Sequence, residues 1–177
     1  MTLDNLLGIG RLKRHKPSRV EVGRLLAAAE TSLRDAMRAG LGNGSRLDLA
    51  YKAIMQAALA ALYANGFRPS TSEPGHQQTT IQSLPKTIGL AADRMTVLDS
   101  FRRARNLADY EGAEVEEAKA RECAEWAGQL IARARLVEEE PPGPSVKQGG
   151  KQDVGWFCFR LPPSAFRLSP FALLLAV

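Results

Sequence analysis

The residues best suited to chemistry in this chain lie in one short run, Arg102-Arg103-Ala104-Arg105-Asn106-Leu107-Ala108-Asp109-Tyr110. Helical spacing puts Arg105 in line with Leu98 and Phe101, on the apolar side of its helix and not on the solvated one. A guanidinium is costly to bury without a partner. Arg105 therefore either pairs with a carboxylate or borders a groove that accepts an anion. In the first case Asp109, one turn later, is the nearest partner within the helix, and the pair closes the end of a helical bundle. In the second, Arg105 holds a phosphate, Asn106 hydrogen-bonds a sugar or phosphate, and Tyr110 stacks or donates a hydrogen bond. Arg102 and Asp109 then serve as flanking substrate contacts.

Few other groups compete. His76 lies in a Pro/Gly-containing loop, where it is either a bundle-end hydrogen-bonding residue or a distant proton-transfer group. The glycines of 40–44 follow a helical stretch and lack the Lys-Ser/Thr ending of a phosphate loop, so they read as a helix-joining turn. Two cysteines and two histidines (Cys123, Cys158, His15, His76) share no metal-ligand spacing. No metal and no cofactor is expected, and no Ser/His/Asp or Cys/His set for acyl transfer is present. Cys123 reads as core, and Trp126 as core or dimer surface.

The elements that must position Arg105 follow from composition and periodicity. The chain has 177 residues, 45% hydrophobic but only 6% aromatic, and its apolar share is dominated by Ala and Leu. That balance favours helix over strand. The fold class expected is all-α: an antiparallel four-helix bundle with a bent or divided third helix and an irregular C-terminal tail. The first helix opens at Ser18, with Glu21 three residues on as a capping-box signal, and ends at the glycine turn of 40–44. The second runs from near Ser45 to Asn65-Gly66, burying Leu47, Tyr51, Ile54, Ala58 and Leu62. The third, about 79–110, is interrupted by Pro85 and Gly89 and restarts near 91–93. The fourth spans about Gly112 to Val137.

This divides the chain into a basic N-terminal arm (1–17), a helical domain (18–137) and a Pro/Gly-rich linker with an apolar tail (138–177). There are 24 Lys plus Arg against 19 Asp plus Glu, a net charge of +5. Most of the excess falls at Arg11, Lys13, Arg14, Lys16, Arg19 and Arg24, where only Glu21 opposes it. Such a cluster attracts phosphates in a salt-sensitive way, or else is simply solvated. The free thiols, and basic residues that follow the first apolar pieces where a signal peptide would have them in front, suit a cytoplasmic protein. No run in 1–137 is long enough to span a bilayer.

Over roughly 18–137 the chain resembles the HEPN superfamily, small four-helix domains of bacterial toxin–antitoxin and antiviral systems, many of them metal-independent ribonucleases. The carriers are the run Tyr51-Lys52-Ala53-Ile54-Met55-Gln56-Ala57-Ala58, the exit Gly66-Phe67-Arg68-Pro69, Gly75-His76, and above all Arg102-Arg103-Ala104-Arg105-Asn106 with Tyr110. Family members commonly carry an Arg, a polar residue directly after it, and a His roughly five residues later. Arg105 and Asn106 match the first two, and Tyr110 stands where the His is expected. The resemblance implies a homodimer in which Arg105, Asn106 and Tyr110 of both copies face a shared groove and act on RNA. A phenol, ordinarily titrating near ~10, is a poor general base at neutral pH, so cleavage is weakened or replaced by binding.

A second function follows from the same resemblance: a non-catalytic accessory module that binds a partner protein such as a nucleotidyltransferase antitoxin. A DNA-binding regulator fits least, because no short-turn helix-turn-helix with a polar recognition helix is evident.

Overall fold

The computed structural model describes residues 2–71 and 75–139, and they are mainly helical. The elements are α1 (Leu3–Gly8), β1 (Leu12–Arg14), α2 (Arg19–Ala36), α3 (Asn43–Ala64), β2 (Phe67–Pro69), α4 (His76–Thr87), α5 (Arg94–Glu111) and α6 (Glu117–Glu139). No helix among the described residues is long and apolar enough to cross a membrane.

Helix α3 runs through the centre. Helices α2 and α6 pack on it and on each other, and α4 and α5 pack on its remaining sides. Its sequence explains that position. Ala50, Ala53, Ala57, Ala58, Ala60 and Ala61 are all buried along with Leu47, Tyr51, Ile54 and Leu62, so the helix is apolar nearly all round. Short side chains let neighbouring helix axes approach closely, and Ala29, Ala36, Ala120, Ala124, Ala127 and Ala134 do the same from α2 and α6. Polar cross-links fix the register. The Ser32 hydroxyl donates to Gln56 Oε1 (3.0 Å), and Asn65 Nδ2 donates to the carbonyls of Ala61 and Thr87, tying the end of α3 to the end of α4.

The start of α2 is built as its sequence predicts, with Ser18 as N-cap and its Oγ accepting from Glu21 N at 3.1 Å. The reciprocal half of the capping box is diverted: Glu21 Oε2 lies 3.0 Å from His15 Nε2 instead. The third helical stretch is divided, but not at the proline. Pro85 sits inside α4, which ends at Thr87, and Gly89 in the left-handed region (φ +64°) turns the chain towards α5. Pro85 cannot donate to the Ile81 carbonyl one turn before it, and α4 runs on for only two residues beyond it.

Three expectations are revised. Residues 1–17 are not merely an arm: α1 and β1 form there, and β1 pairs antiparallel with β2 in the register Leu12↔Pro69, Lys13↔Arg68, Arg14↔Phe67. Leu6, Leu12, Leu62 and Phe67 close a small second core beneath this sheet. The fourth helix does not begin at Gly112, because Gly112 caps α5 with a positive φ of +65° and residues 112–116 form a loop. At its far end α6 passes Val137 to reach Glu139. The linker and tail expected beyond it, from residue 140 on, lie outside the described residues.

Candidate functional site

Helix α5 buries only Leu98 and Phe101, both in its first half. From Arg102 onward its residues sit at the surface, and helical spacing sorts them onto two strips. Arg105, Ala108 and Asp109 face an open cleft of about 400 Å³. Its other walls are Asn43, Gly44, Leu47 and Asp48 at the start of α3, and the 112–115 loop that Gly112 creates. Asn106 and Tyr110 lie on the adjacent strip and do not line the cleft.

Arg105 is half-buried at the boundary, as its alignment with Leu98 and Phe101 requires. Its principal partner is not Asp109. Nε donates to Asp48 Oδ1 at 2.8 Å, while Asp109 Oδ2 stands 3.6 Å from the same nitrogen. Burial opposes the charged guanidinium, but the hydrogen bond it donates to Asp48 and the charges of Asp48 and Asp109 outweigh it and hold Arg105 above its usual range. Both acids engage Nε. Nη1 and Nη2, the edge with which arginine grips a phosphate through paired hydrogen bonds, make no hydrogen bond among the described residues.

Arg102 is committed elsewhere. Its Nε donates to Asp99 Oδ1 at 2.7 Å, and Arg103 Nε donates to Asp99 Oδ2 at 2.8 Å. Hydrogen bonding from Arg102, then from Arg103, holds the Asp99 carboxyl below its ordinary range even though burial works the other way. One carboxylate thus serves two arginines, leaving a net positive charge on this part of α5. Asn106 is exposed, and its side chain makes no hydrogen bond among the described residues. Tyr110 is 86% exposed, far more than a tyrosine held in a core. His76, the first residue of α4, is exposed and lines neither this cleft nor the neighbouring one. The structure therefore brings Arg105 and Asp109 together, sets Asn106 and Tyr110 beside them on an open strip, and keeps Arg102 on Asp99.

Behind Arg105 lies Tyr51, with its ring centroid 5.8 Å from the guanidinium carbon. Tyr51 also borders a second recess of about 260 Å³, shared with Asp48, Lys52, Met55, Gln77 and Arg105. Its hydroxyl is buried without a hydrogen-bond partner among the described residues, and burial pushes the phenol up to about 12 against the opposing charges of Arg102 and Arg105. Cys123 is core, with its thiol likewise raised to about 12 by burial. Trp126 packs on the same core, and the Arg94 guanidinium carbon lies 5.8 Å from its ring centroid.

Two contributors escaped sequence reasoning. Asp48 was recognisable only as an acid in the first turn of the second helix, 57 residues from the arginine it meets. Glu114 joins Asp48 and Asp109 on the cleft wall from the loop after α5, outside the run that drew attention in the sequence. The cleft therefore carries three acids against one arginine. Among the described residues no group of three or more His, Cys, Asp or Glu side chains is arranged to hold a metal ion.

No family model matches the chain, and no curated protein is significantly similar to it. Function must therefore be argued from the arrangement itself.

Proposed function

We propose that this chain is a HEPN-like RNA-binding protein, an antiparallel four-helix bundle built from α2, α3, the divided α4–α5 and α6. In this reading it cleaves RNA without a metal ion, within a toxin–antitoxin or antiviral system. The observation that carries the proposal is the unengaged Nη edge of Arg105 beside the exposed pair Asn106 and Tyr110. Asp48 and Asp109 fix the orientation of the guanidinium through Nε, as a positioned phosphate ligand requires.

The acids of the cleft determine where the phosphate goes. Asp48, Asp109 and Glu114 repel it from the interior, so it is bound at the rim, between Arg105 and Asn106. Tyr110 then stacks on a base or donates a hydrogen bond to a phosphate oxygen. Arg105 stabilises the negative charge on the equatorial oxygens as the ribose 2′-oxygen bonds to phosphorus, its proton passing to water, and the bond to the 5′-oxygen breaks, that oxygen leaving as a hydroxyl protonated by water. One rim offers only half of an acid–base pair, so the site is completed by a second copy across α5.

A second reading is favoured by the same three acids. They offset Arg105 internally, and a site balanced in this way suits a non-catalytic module that docks a protein partner such as a nucleotidyltransferase.

Incubating a mixed RNA pool with the purified chain in EDTA separates the two. Cleavage by wild type that is lost in Arg105→Ala, with an unchanged helical spectrum, supports the ribonuclease. Equal cleavage by both proteins places the activity elsewhere and rejects the site. Absence of cleavage by either leaves the accessory module as the better reading.

A further inference from the structure

The two-stranded sheet carries a charge arrangement that the fold itself does not need. Lys13 on β1 and Arg68 on β2 are direct cross-strand partners, and both are exposed. Leu12, Phe67 and Pro69 on the same strands are buried, so the two cations stand on the opposite, solvent-facing side. Backbone bonds from Ser70 N to Arg11 O and from His15 N to Gly66 O, both 2.9 Å, extend the ladder at its two ends and hold the pair in register. Like charges directly opposite each other on a sheet are destabilising.

The nearby acids do not relieve them. Asp4 pairs with Arg14 at 3.2 Å, and Glu21 is taken by His15. Arg11, Lys13, Lys16 and Arg68 are all exposed and make no ion pair among the described residues. Arg14 adds to the group only in part, since its guanidinium also lies over the Phe67 ring at 4.7 Å. Sequence alone suggested an N-terminal basic cluster. The fold adds Arg68 to it, from 55 positions beyond Lys13, and makes the cluster a rigid face.

We infer that this face, with Lys13 and Arg68 at its centre and Arg11 and Lys16 beside them, binds the phosphodiester backbone of single-stranded RNA without regard to sequence. Two cations at one sheet spacing each meet a phosphate, and bound phosphates remove the repulsion between them. An anionic membrane surface is the other polyanion to consider. Peripheral membrane sites rely on clusters of apolar side chains that insert beside the charges; among the described residues the exposed large hydrophobic residues nearest these cations in sequence are Ile9 and Val20, one after α1 and one in the first turn of α2. The inference does not depend on the α5 site. It assigns a separate surface to the same class of ligand.

The test is fluorescence anisotropy of a labelled 20-nucleotide single-stranded RNA with the full chain across a range of salt concentrations. Variants are Lys13→Glu, Arg68→Ala and their combination, with Arg105→Ala alongside. Each lost phosphate contact lowers the slope of log affinity against log salt by ~0.7 on a single strand. The double variant should lose about 1.4 in slope and bind on the order of tenfold more weakly at low salt. Lys13→Glu turns a like-charge pair into an opposite one, so its melting temperature should not fall while its affinity does. That combination separates lost contact from lost fold.

Unchanged affinity and slope in the double variant would overturn the inference. So would tight binding to phosphatidylserine vesicles that is lost in the same variants while RNA binding is not. Loss of binding in the sheet variants with none in Arg105→Ala supports the sheet and counts against the α5 site. The reverse pattern retains the α5 site and rejects the sheet.

Discussion

Tyr51 and Arg105 show how the same helix pair serves stability and the site in opposite ways. The Tyr51 ring fills the space between α3 and α5, but its buried hydroxyl has no partner among the described residues. A buried polar group left unsatisfied costs ~1–3 kcal/mol. Tyr51→Phe keeps the ring and removes the liability, so it should raise the free energy of unfolding in urea by about 1 kcal/mol. A loss of similar size would reveal a hydrogen bond to that hydroxyl. The same burial makes a pH prediction. Tyr51 and Cys123 are raised to about 12 in the folded state from ordinary values of 10.0 and 9.0. Between roughly pH 9 and 12 the unfolded chain gives up these protons more readily than the folded one, so stability is level below that window and falls as pH rises through it. Urea midpoints should agree at pH 7 and 8 and drop by pH 10, with a smaller drop in Tyr51→Phe combined with Cys123→Ala. An equal drop in that variant would assign the effect to other groups. At this scale the sequence was half legible. Its periodicity placed Arg105 on the apolar side and called for either an acid partner, with Asp109 the nearest, or a groove that accepts an anion. The partner is Asp48 on another helix, which no spacing within α5 could reveal.

Elements were more legible than contacts, because capping and turn chemistry are local. Ser18 caps α2 as its type and its spacing to Glu21 foretell, and the break between α4 and α5 falls where glycine and proline cluster. Which of those two residues makes the break was not readable, since a proline near the end of a helix and one that stops it look alike in sequence. The strands were missed because three residues carry too little alternation to distinguish a strand from a loop, and their pairing joins segments more than 50 positions apart. Gly112 was read as the start of a helix when it is the end of one, and it matters because the loop it opens forms one wall of the cleft. A Cβ added at Gly112 would meet nothing within 4 Å, so the cost of replacing it is conformational and not steric. Gly112→Ala should destabilise by about 1 kcal/mol, the typical penalty for an L-residue held in the left-handed region. Gly112→Asn should cost less, because asparagine tolerates that region. Thermal unfolding of the two variants checks the order; a larger loss with asparagine would show that side-chain bulk is what the turn resists.

For the whole molecule, the question is which parts of the chain the fold requires. The buried hydrophobic residues run from Leu6 to Ala134, and contacts group residues 1–144 as one compact unit. A chain ending at Glu139 retains every buried residue of the described fold and should therefore unfold in a single cooperative transition. The N-terminus makes the contrasting case. If 1–17 were a solvated basic arm, deleting it would change charge and little else. In the structure the deletion removes Leu6 and Leu12 from above Leu62 and Phe67, takes away the pairing partner of β2, and uncovers the end of α3. Burying each leucine is worth ~1.5–3 kcal/mol, so the loss from these two alone should be about 3 kcal/mol or more. Deletion of residues 1–17 should also strip Arg11, Lys13 and Lys16 from the basic face, lowering the salt dependence of RNA binding further than Arg68→Ala does. Chemical denaturation of the two truncated chains beside the full one decides the matter. If removing 1–17 leaves stability unchanged, α1 and β1 add nothing to the fold, and the rigid face proposed for RNA loses its foundation.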